Sequence, residues 1–324
     1  MPVVSVVIPA FNAEDSLAGT VASAQDQSLA DIEILIVDDA SRDGTLALAR
    51  RLAAQDPRVT VIAAPRNLGP AGARNLGLAA AGGEWIALLD ADDAFAPGRL
   101  AALVAAARAC GADLLADNLL LEDEDGRVEA MLPPGRETAA APVSAAGFLL
   151  GNLPDPAQPR RSYGFLKPLI RRAFLAEHGL RYDEELRFAE DFAFYLACFA
   201  AGARFFLLPQ PTYRYRLRSD SLTACHTTAD LRRLQAVDRR LLQEHAAGGG
   251  AFAAALKRHK KSIDQRLSWR EVIDAVKRRA WLGALRASLQ GWHVFTYVAC
   301  QLAGEAWRRL GPGRWRGRAR AAET

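Results

Sequence analysis

The sequence predicts an α/β protein with a Rossmann-like, mainly parallel sheet covered by helices and a helical C-terminal extension. Over roughly the first 120 residues, short β-branched runs alternate with segments of helical periodicity across short connections, which is typical of a parallel sheet with helices on its faces. The 324 residues are 50% hydrophobic and 24% charged, a composition that excludes a disordered or collagen-like chain. We expect one domain at residues 1–220 and the extension at residues 221–324.

The first elements set the pattern for the sheet. Residues 3–8 form a β-branched run that Pro9 ends, so we predict a buried strand there. In residues 14–27 the apolar side chains recur at helical spacing. The same reasoning predicts strands at residues 32–37, 59–63, 85–89 and 113–121, and helices at residues 45–54, 72–81 and 97–110.

The second half of the chain is less regular. Residues 133–161 are rich in Pro, Gly and Ala, so we predict a long loop with one short helix at residues 144–150. After residue 230 almost every segment favours helix. The remaining predicted elements are strands at residues 165–170, 205–208 and 213–217, and helices at residues 172–178, 188–201, 230–247, 251–289 and 292–310.

Charge is distributed unevenly along the chain. Residues 1–250 carry 25 Lys and Arg against 32 Asp and Glu, whereas residues 251–324 carry 16 against 5. The two parts therefore have net charges of −7 and +11, and the whole chain has +4. A basic extension predicts an anionic partner, either a membrane surface or nucleic acid. A solvated basic helix face is the alternative.

Residues 287–304 contain no Lys, Arg, Asp or Glu. They are too few and too polar for a membrane-spanning helix, which needs about 20 apolar residues. One interpretation is an interfacial helix at a membrane, with Trp292 and Trp307 among flanking arginines. The other interpretations are a helix packed on the main domain and a homodimer contact.

The cysteines and the N-terminus indicate a cellular compartment. The four cysteines lie far apart without a CxxC pair, and the N-terminus has no basic segment followed by a cleavage signal. A disulfide scaffold, a structural zinc site and a signal peptide are therefore not predicted. The five histidines also lack the spacing of zinc ligands. We expect a cytoplasmic protein.

Acidic side chains follow two of the predicted strands. Asp38 and Asp39 end the second strand, and Asp90, Asp92 and Asp93 follow the fourth. Because ligands bind beyond the carboxyl ends of parallel strands, we expect these acids to share one crevice. Clustered carboxylates repel one another unless a cation compensates them, and oxygen ligands suit Mg²⁺ or Mn²⁺. The alternative is that they cap the helices that follow.

Three further segments are candidates for binding or catalysis. Glu190 and Asp191 begin a predicted helix, where a carboxylate is electrostatically favoured, and Asp191 is alternatively a general base. Residues 67–75 form a glycine-punctuated loop that could pass close to a nucleotide, although it is neither a P-loop nor a dinucleotide fingerprint. Three alternate arginines within residues 214–218 form an anion-facing stripe or a solvated strand edge.

Five of these segments occur in the same order and at similar spacings in a known family. They are Val-Val-Ile-Pro-Ala-Phe-Asn-Ala at 6–13, Ile-Val-Asp-Asp-Ala-Ser-Arg-Asp-Gly-Thr at 36–45, Arg-Asn-Leu-Gly-Pro-Ala-Gly-Ala-Arg-Asn at 66–75, Leu-Leu-Asp-Ala-Asp-Asp at 88–93 and Glu-Asp at 190–191. The chain thus resembles glycosyltransferase family 2 over about residues 3–220, which implies a GT-A fold and sugar transfer with inversion. Residues 163–175 look most like bacterial exopolysaccharide glucosyltransferases of the succinoglycan type.

The resemblance implies a role for each matching residue. Asp90 and Asp92 match the DxD motif that holds Mg²⁺ or Mn²⁺ against the donor diphosphate, with Asp92 the direct metal ligand and Asp93 close by. Asp191 matches the general base, and Arg218 a basic position at the diphosphate. The residues that match nucleotide-contacting positions are Pro9, Phe11, Asn12, Asp38, Asp39, Arg66, Gly72 and Arg74.

The resemblance also implies the substrates. The QxxRW motif of processive synthases and multiple spanning helices are absent from the sequence, which favours transfer of one sugar. The implied donor is a UDP-sugar, such as UDP-glucose or a related UDP-hexose. The implied acceptor is a saccharide or lipid-linked saccharide in exopolysaccharide biosynthesis, with no nucleic-acid partner and with the enzyme peripheral on the inner face of the membrane.

Two alternatives from other functional classes stay open. A nucleotidyltransferase also uses a doubly wound sheet and metal-binding carboxylates, but it would normally carry a glycine-rich basic loop after the first strand, where this chain has Pro-Ala-Phe-Asn-Ala at 9–13. The other alternative is a non-catalytic sugar-nucleotide-binding protein that keeps the same fold.

Overall fold

The chain forms two compact units, at residues 1–226 and 227–324. A computed structural model describes residues 1–133, 139–155, 161–217, 227–245 and 250–310. The first unit contains the predicted sheet, and the second is helical throughout its described residues.

Within the described residues, ten strands form one sheet. They are β1 Val4–Ala10, β2 Ile32–Asp38, β3 Val59–Ala63, β4 Trp85–Leu88, β5 Ala94–Phe95, β6 Leu114–Glu122, β7 Val128–Ala130, β8 Ala141–Val143, β9 Leu169–Arg171 and β10 Phe205–Arg216. Their order is β3-β2-β1-β4-β9-β6-β10-β5, with β7 beside β6 and β8 beside β10. The longer pairings, β3-β2-β1-β4 and β6-β10, are parallel, and the two- and three-residue pairings are antiparallel.

The helices of the first unit cover this sheet. They are α1 Leu17–Gln25, α2 Thr45–Gln55, α3 Gly69–Ala80, α4 Arg99–Cys110, α5 Ala145–Gly151, α6 Arg172–His178 and α7 Glu190–Ala200. The central strand β1 is buried along almost its whole length, as expected for a parallel strand covered on both faces. A Cβ at Gly77 would lie 2.2 Å from Cγ1 of Val7, so this glycine lets α3 lie directly against β1.

The predicted α/β class and the order of the main elements are confirmed, and the differences have local causes. The strands predicted at 205–208 and 213–217 are one strand, β10, whose register shifts around Pro211 because proline cannot donate a ladder hydrogen bond. At residues 165–170 a 3₁₀ turn at Tyr163–Phe165 precedes the shorter strand β9. Strands β5, β7 and β8 were not predicted, because two or three residues are too few to show periodicity.

The second unit consists of four helices within its described residues. They are α8 Thr228–His245, α9 Gly250–Lys277, α10 Trp281–Ser288 and α11 Trp292–Leu310. The single helix predicted at 251–289 is therefore two helices, and Arg279 between them adopts a φ of +57°. The other three helices all pack on α9. Among the residues that the structure describes, no helix is both long enough and apolar enough to cross a membrane.

Candidate functional site

The predicted acids lie at one edge of the sheet. Strands β2 and β4 both pair in parallel with β1, so all three strands end at the same side. Asp38 is the last residue of β2 and Asp39 follows it, whereas the acids at residues 90–93 follow β4 after one further residue. The helices α3 and α7 contribute the remaining side chains of the site.

Asp39 caps a helix. Its carboxylate accepts the backbone N–H groups of Leu68, at 2.7 Å, and of Gly69, at 2.9 Å. Burial raises the pKa of Asp39, although these two donors act against the shift. One alternative from the sequence is that the acids at residues 38–39 cap the helix that begins near Thr45. In the structure Asp39 caps the start of α3 instead. A carboxylate has about four acceptor positions, so a substrate hydroxyl or imide can still bind.

The loop after β1 packs on the loop after β2. The backbone N–H of Asn12 donates to Oγ of Ser41 at 3.0 Å, and Oδ1 of Asn12 accepts the backbone N–H of Arg42 at 2.9 Å. Phe11 beside it is 46% exposed. Asp38 is buried, and its Oδ1 atom has no hydrogen-bond partner among the residues that the structure describes. Pro9 lies within β1, and the exposed ring of Phe11 follows the end of this strand.

The segment at residues 67–75 is mainly helical rather than a loop. Helix α3 begins at Gly69, which has a φ of +78°, three residues before the predicted start. Gly72 lies inside this helix, where a Cβ would come within 2.5 Å of Cβ of Leu68. Its lack of a side chain is thus explained by packing within the helix. Arg66 is exposed before the helix, and Arg218 lies outside the described residues.

Arg74 of α3 joins the end of β4 to the start of α7. Its Nη2 donates to Oδ1 of Asp90 at 2.8 Å, and its Nη1 donates to Oε1 of Glu190 at 2.6 Å. The same Nη2 lies 3.6 Å from Oδ2 of Asp191. Arg74 is 4% exposed, so these ion pairs form largely out of contact with solvent.

Lys167 is a second buried cation in the same place. Its Nζ lies 2.8 Å from Oδ2 of Asp90 and 2.7 Å from Oδ2 of Asp191. Lys167 therefore bridges the acid at the strand end and the acid at the helix start. No motif in the sequence singles out this residue. Its signal is a lysine in the middle of the apolar run Phe-Leu-Lys-Pro-Leu-Ile at 165–170, because lysine is rarely buried unless it is paired.

The charges of this cluster stabilise one another. Burial opposes ionisation of Asp90, but Lys167 and Arg74 outweigh it and hold the pKa of Asp90 well below its usual range. Burial would also lower the pKa of Lys167, but Asp191 and Asp90 outweigh it and raise that pKa well above its usual value. The cluster thus contains two cations, Arg74 and Lys167, against three acids, including Glu190.

Asp191 is oriented at both carboxylate oxygens. Lys167 contacts Oδ2, and the hydroxyl of Tyr182 donates to Oδ1 at 3.0 Å. The Tyr182 ring stacks on Phe194 at a centroid distance of 4.1 Å, and its backbone N–H donates to Oδ1 of Asn75 at 2.8 Å. Burial raises the pKa of Tyr182 well above its usual value. The tyrosine therefore remains a hydrogen-bond donor to the acid.

The carboxylate of Asp93 hydrogen-bonds to β10. Its Oδ2 accepts the hydroxyl of Tyr213 at 2.7 Å, and its Oδ1 accepts the backbone N–H of Arg216 at 2.9 Å. Burial raises the pKa of Asp93 well above its usual value, and Asp90 and Asp92 add to that shift. Both oxygens of Asp93 thus connect the acidic turn to β10, and the residue supports the turn.

The carboxylate oxygens of Asp90 and Asp92 fit a divalent cation whose other ligands come from a substrate. Among the described residues, no group of three His, Cys, Asp or Glu side chains converges on a metal position. Asp90 and Asp92 follow the same strand and offer carboxylate oxygens, although Asp90 already contacts two cations. Mg²⁺ is often bound by one or two carboxylates together with substrate phosphates and water.

The arginine stripe of β10 lies partly within the described residues. Arg214 and Arg216 are exposed, but at Arg214 the strand pairs with β6 on one side and with β5 on the other, so it is not a sheet edge there.

Comparison with known proteins identifies the family. Residues 5–138 match the model of glycosyl transferase family 2. The chain is similar to the succinoglycan biosynthesis protein ExoU of Rhizobium meliloti (strain 1021), with 38% identity over 277 residues, which cover 84% of this chain and 78% of that protein. It is 32% identical to ExoO of the same organism over 310 residues, which cover 96% of this chain and 87% of ExoO.

A shorter match and a solved structure add to these relatives. Over 93 residues the chain is 42% identical to the UDP-Glc:alpha-D-GlcNAc-diphosphoundecaprenol beta-1,3-glucosyltransferase WfaP of Escherichia coli, covering 29% of this chain and 36% of WfaP. S. aureus TarS 1–349 in complex with UDP-GlcNAc has the same fold, with a TM-score of 0.64 and 18% identity, covering 95% of this chain and 92% of that chain. The family decides against the nucleotidyltransferase alternative. This chain, with its GT-A sheet and its acids at the strand ends, belongs to glycosyltransferase family 2 and is a glycosyltransferase.

Proposed function

We propose that this enzyme transfers one hexose, glucose or a related sugar, from a UDP-sugar to a saccharide acceptor carried on a lipid diphosphate, with inversion at the anomeric carbon. The observation that carries the proposal is the buried contact of Asp191 and Asp90 through Lys167. The relatives support these substrates: WfaP uses UDP-Glc and a diphosphoundecaprenol acceptor, and ExoU and ExoO act in succinoglycan biosynthesis. By the same similarity we place the reaction in exopolysaccharide biosynthesis.

The end of β1 and β2 suits the nucleoside part of the donor. The exposed ring of Phe11 offers a flat apolar surface on which a uracil ring can stack. Asp38 and Asp39, at the end of the neighbouring strand β2, can accept hydrogen bonds from the uracil imide or the ribose hydroxyls. The exposed guanidinium of Arg66 adds a positive charge beside this position.

The end of β4 suits the diphosphate. Asp92 and Asp90 would hold Mg²⁺ or Mn²⁺, which when bound neutralises negative charge on the departing UDP. Lys167 and Arg74 each contact the carboxylate of Asp90 at 2.8 Å and hold it ionised.

Asp191 acts as the general base. The acceptor hydroxyl loses its proton to Asp191, and its oxygen forms a new bond to the anomeric carbon from the face opposite the diphosphate. The bond from the anomeric carbon to the β-phosphate oxygen breaks, and UDP leaves with the electron pair. An α-linked donor therefore gives a β-linked product. Lys167 and Tyr182 orient the carboxylate for this proton transfer.

Donor binding tests the proposal directly. Titration calorimetry with UDP-glucose, UDP-galactose, UDP-GlcNAc, GDP-mannose and dTDP-glucose, with Mn²⁺ or with EDTA, measures both nucleotide and metal preference. We expect UDP-sugars to bind best and to need the metal. Asp92→Ala removes the metal-dependent part of the affinity, whereas Asp125→Ala, an exposed acid on another loop, serves as the matched control. A preference for GDP- or dTDP-sugars, or equal affinity in EDTA, contradicts the proposal.

A further inference from the structure

The second unit exposes large apolar side chains on two consecutive helices. We define the outer patch as Trp281, Leu282, Leu285, Leu289, Trp292 and Phe295. Leu282 is 77% exposed and Trp292 is 78% exposed, values that are unusual for such large apolar groups. Most of the exposed large hydrophobic side chains among the described residues lie between residues 276 and 307. Contiguous apolar surface of this kind marks an interaction site.

The opposite, inner faces of α10 and α11 pack into a separate hydrophobic core, so the outer patch is not part of that core. Ala287 of α10 and Val294 and Val298 of α11 are buried together with Val272 of α9. The small residues of α10 thus face the core, while its tryptophan and leucines face outwards. This reverses the usual arrangement of an amphipathic surface helix, whose large apolar side chains face inwards.

The outer patch carries positive charge around it. Residues 275–304 contain no Asp or Glu. Lys277, Arg278, Arg279 and Arg286 are all exposed beside the patch. The rings of Trp292 and Phe295 stack at a centroid distance of 5.7 Å within it. The surface therefore combines aromatic and aliphatic side chains with basic groups. The acid of α9 that reaches it, Glu271, is paired with Arg232 at 2.7 Å and with Gln290 at 3.1 Å.

We infer that the outer patch docks on an anionic lipid surface, with α10 and the start of α11 lying in the plane of the interface. Trp, Leu and Phe on one side, with Lys and Arg at the rim, is the composition of interfacial helices. A second copy of the chain is a poorer partner, because a symmetric contact through this patch would bring the cations of both copies together. An anionic headgroup layer attracts the same cations.

The inference goes beyond the proposed reaction and does not depend on its donor or acceptor. It also moves the contact along the chain. One interpretation of the sequence predicts an interfacial helix within residues 287–304, whereas the outer patch already begins at Trp281. The arginines at 314 and 316 lie outside the described residues.

Vesicle sedimentation of the full-length protein tests the inference. Vesicles of phosphatidylcholine alone are compared with vesicles in which about a third of the lipid is phosphatidylglycerol. We expect binding to the anionic vesicles only. Leu282→Ser/Leu285→Ser weakens that binding about tenfold or more, because less apolar area enters the interface. Arg278→Gln/Arg279→Gln/Arg286→Gln weakens it about 100-fold, because each cation contributes about 1 kcal/mol.

Val128→Ser/Leu150→Ser is the matched control, since it removes two exposed apolar side chains of the first unit, and it binds like the wild type. Thermal melting by circular dichroism verifies that all variants fold. The inference is overturned if the wild type stays in the supernatant with anionic vesicles, or if the Leu282→Ser/Leu285→Ser variant binds unchanged. It is also overturned if light scattering shows a dimer that this variant converts to a monomer while vesicle binding persists, because the patch then serves self-association.

Discussion

Two networks of buried ion pairs in the first unit both join basic side chains to carboxylates, but they differ in the number of cations and acids. In the closed pair, Arg99 contacts Asp117 through Nε and Nη2, and both residues are almost completely buried. In the site cluster, two cations meet three acids, and the side chain of Asp90 is still 22% exposed. The closed pair is a structural use of buried charge, whereas the charge of the site cluster suits a function.

The closed pair is completed by neutral partners. Nη2 of Arg99 donates to the backbone carbonyl of Lys167 at 2.7 Å, and the hydroxyl of Thr212 donates to Oδ2 of Asp117. The guanidinium also lies 4.5 Å from the ring centroid of Phe95. One cation thus balances one anion, and the surrounding groups fix both. The position of Lys167 in the site cluster depends on this pair through its backbone.

The site cluster is left unbalanced at the edge of the sheet. Its three acids, Asp90, Glu190 and Asp191, outnumber Arg74 and Lys167. Excess negative charge in a buried place is unfavourable for stability. It is useful where a divalent cation binds and where a proton must be accepted, which is the chemistry that we propose for this edge.

The largest expected effect comes from the base. Asp191→Asn lowers the rate of sugar transfer about 1000-fold, because an amide cannot accept the acceptor proton. Donor affinity is retained, since Lys167 stays paired with Asp90. Single-turnover transfer and calorimetry with a UDP-sugar measure the two effects, and Glu185→Gln, an exposed acid before α7, is the control. Near-normal transfer by the Asn variant would remove Asp191 from this role.

Breaking the closed pair tests stability in the first unit. Arg99→Met leaves Asp117 as an uncompensated buried charge and lowers the free energy of unfolding by about 3–5 kcal/mol. Arg99→Met/Asp117→Leu recovers much of that loss, because no charge is then left unpaired. Urea unfolding curves measure both variants. A single variant as stable as the wild type would show that the pair contributes little.

The pH dependence of stability tests the role of Asp93. Its pKa is raised in the folded protein, so its stabilising contribution is present below the ordinary value of 3.8 and is lost as the pH rises through the raised value. The Asp93→Asn variant has no carboxyl group that loses a proton. Its free energy of unfolding, relative to that of the wild type, therefore increases with pH by at most about 1.4 kcal/mol per pH unit.

Urea midpoints of the wild type and the Asp93→Asn variant at a series of pH values measure this difference. Metal-dependent donor binding is unchanged in the variant if Asp93 only supports β10, and is lost if Asp93 is a metal ligand. A stability difference that does not vary with pH contradicts the role that we assign to this residue.

The smallest effect is expected at the surplus acid of the cluster. Glu190→Gln changes the free energy of unfolding by less than about 1 kcal/mol, because the amide oxygen still accepts from Arg74. Arg74 also keeps its contact with Asp90. If Glu190→Gln lowers the free energy of unfolding as much as Arg99→Met does, the two networks do not differ in the way that we propose. Urea unfolding of the two variants under one buffer condition decides the point.

Much of the fold and part of the site follow from local patterns. The ends of β2 and β4 could be located from their hydrophobic runs, and this placed Asp38, Asp39 and Asp90 at one edge. Lys167 and Tyr182 could not be placed in the same way. Their partner Asp191 lies 24 and 9 residues away along the chain, and no periodicity relates a residue of an irregular segment to the start of a distant helix.

Neighbouring acids show the same division. The family, the alternation of strands and helices, and the acids that follow the strands could all be predicted from the sequence, because motif order and hydrophobic period are properties of the chain. The folded structure was needed to show that Asp39 caps α3, that Asp90 contacts two cations and that Asp93 accepts the hydroxyl of Tyr213. The direction of a carboxylate depends on donors and charges that folding brings from other parts of the chain.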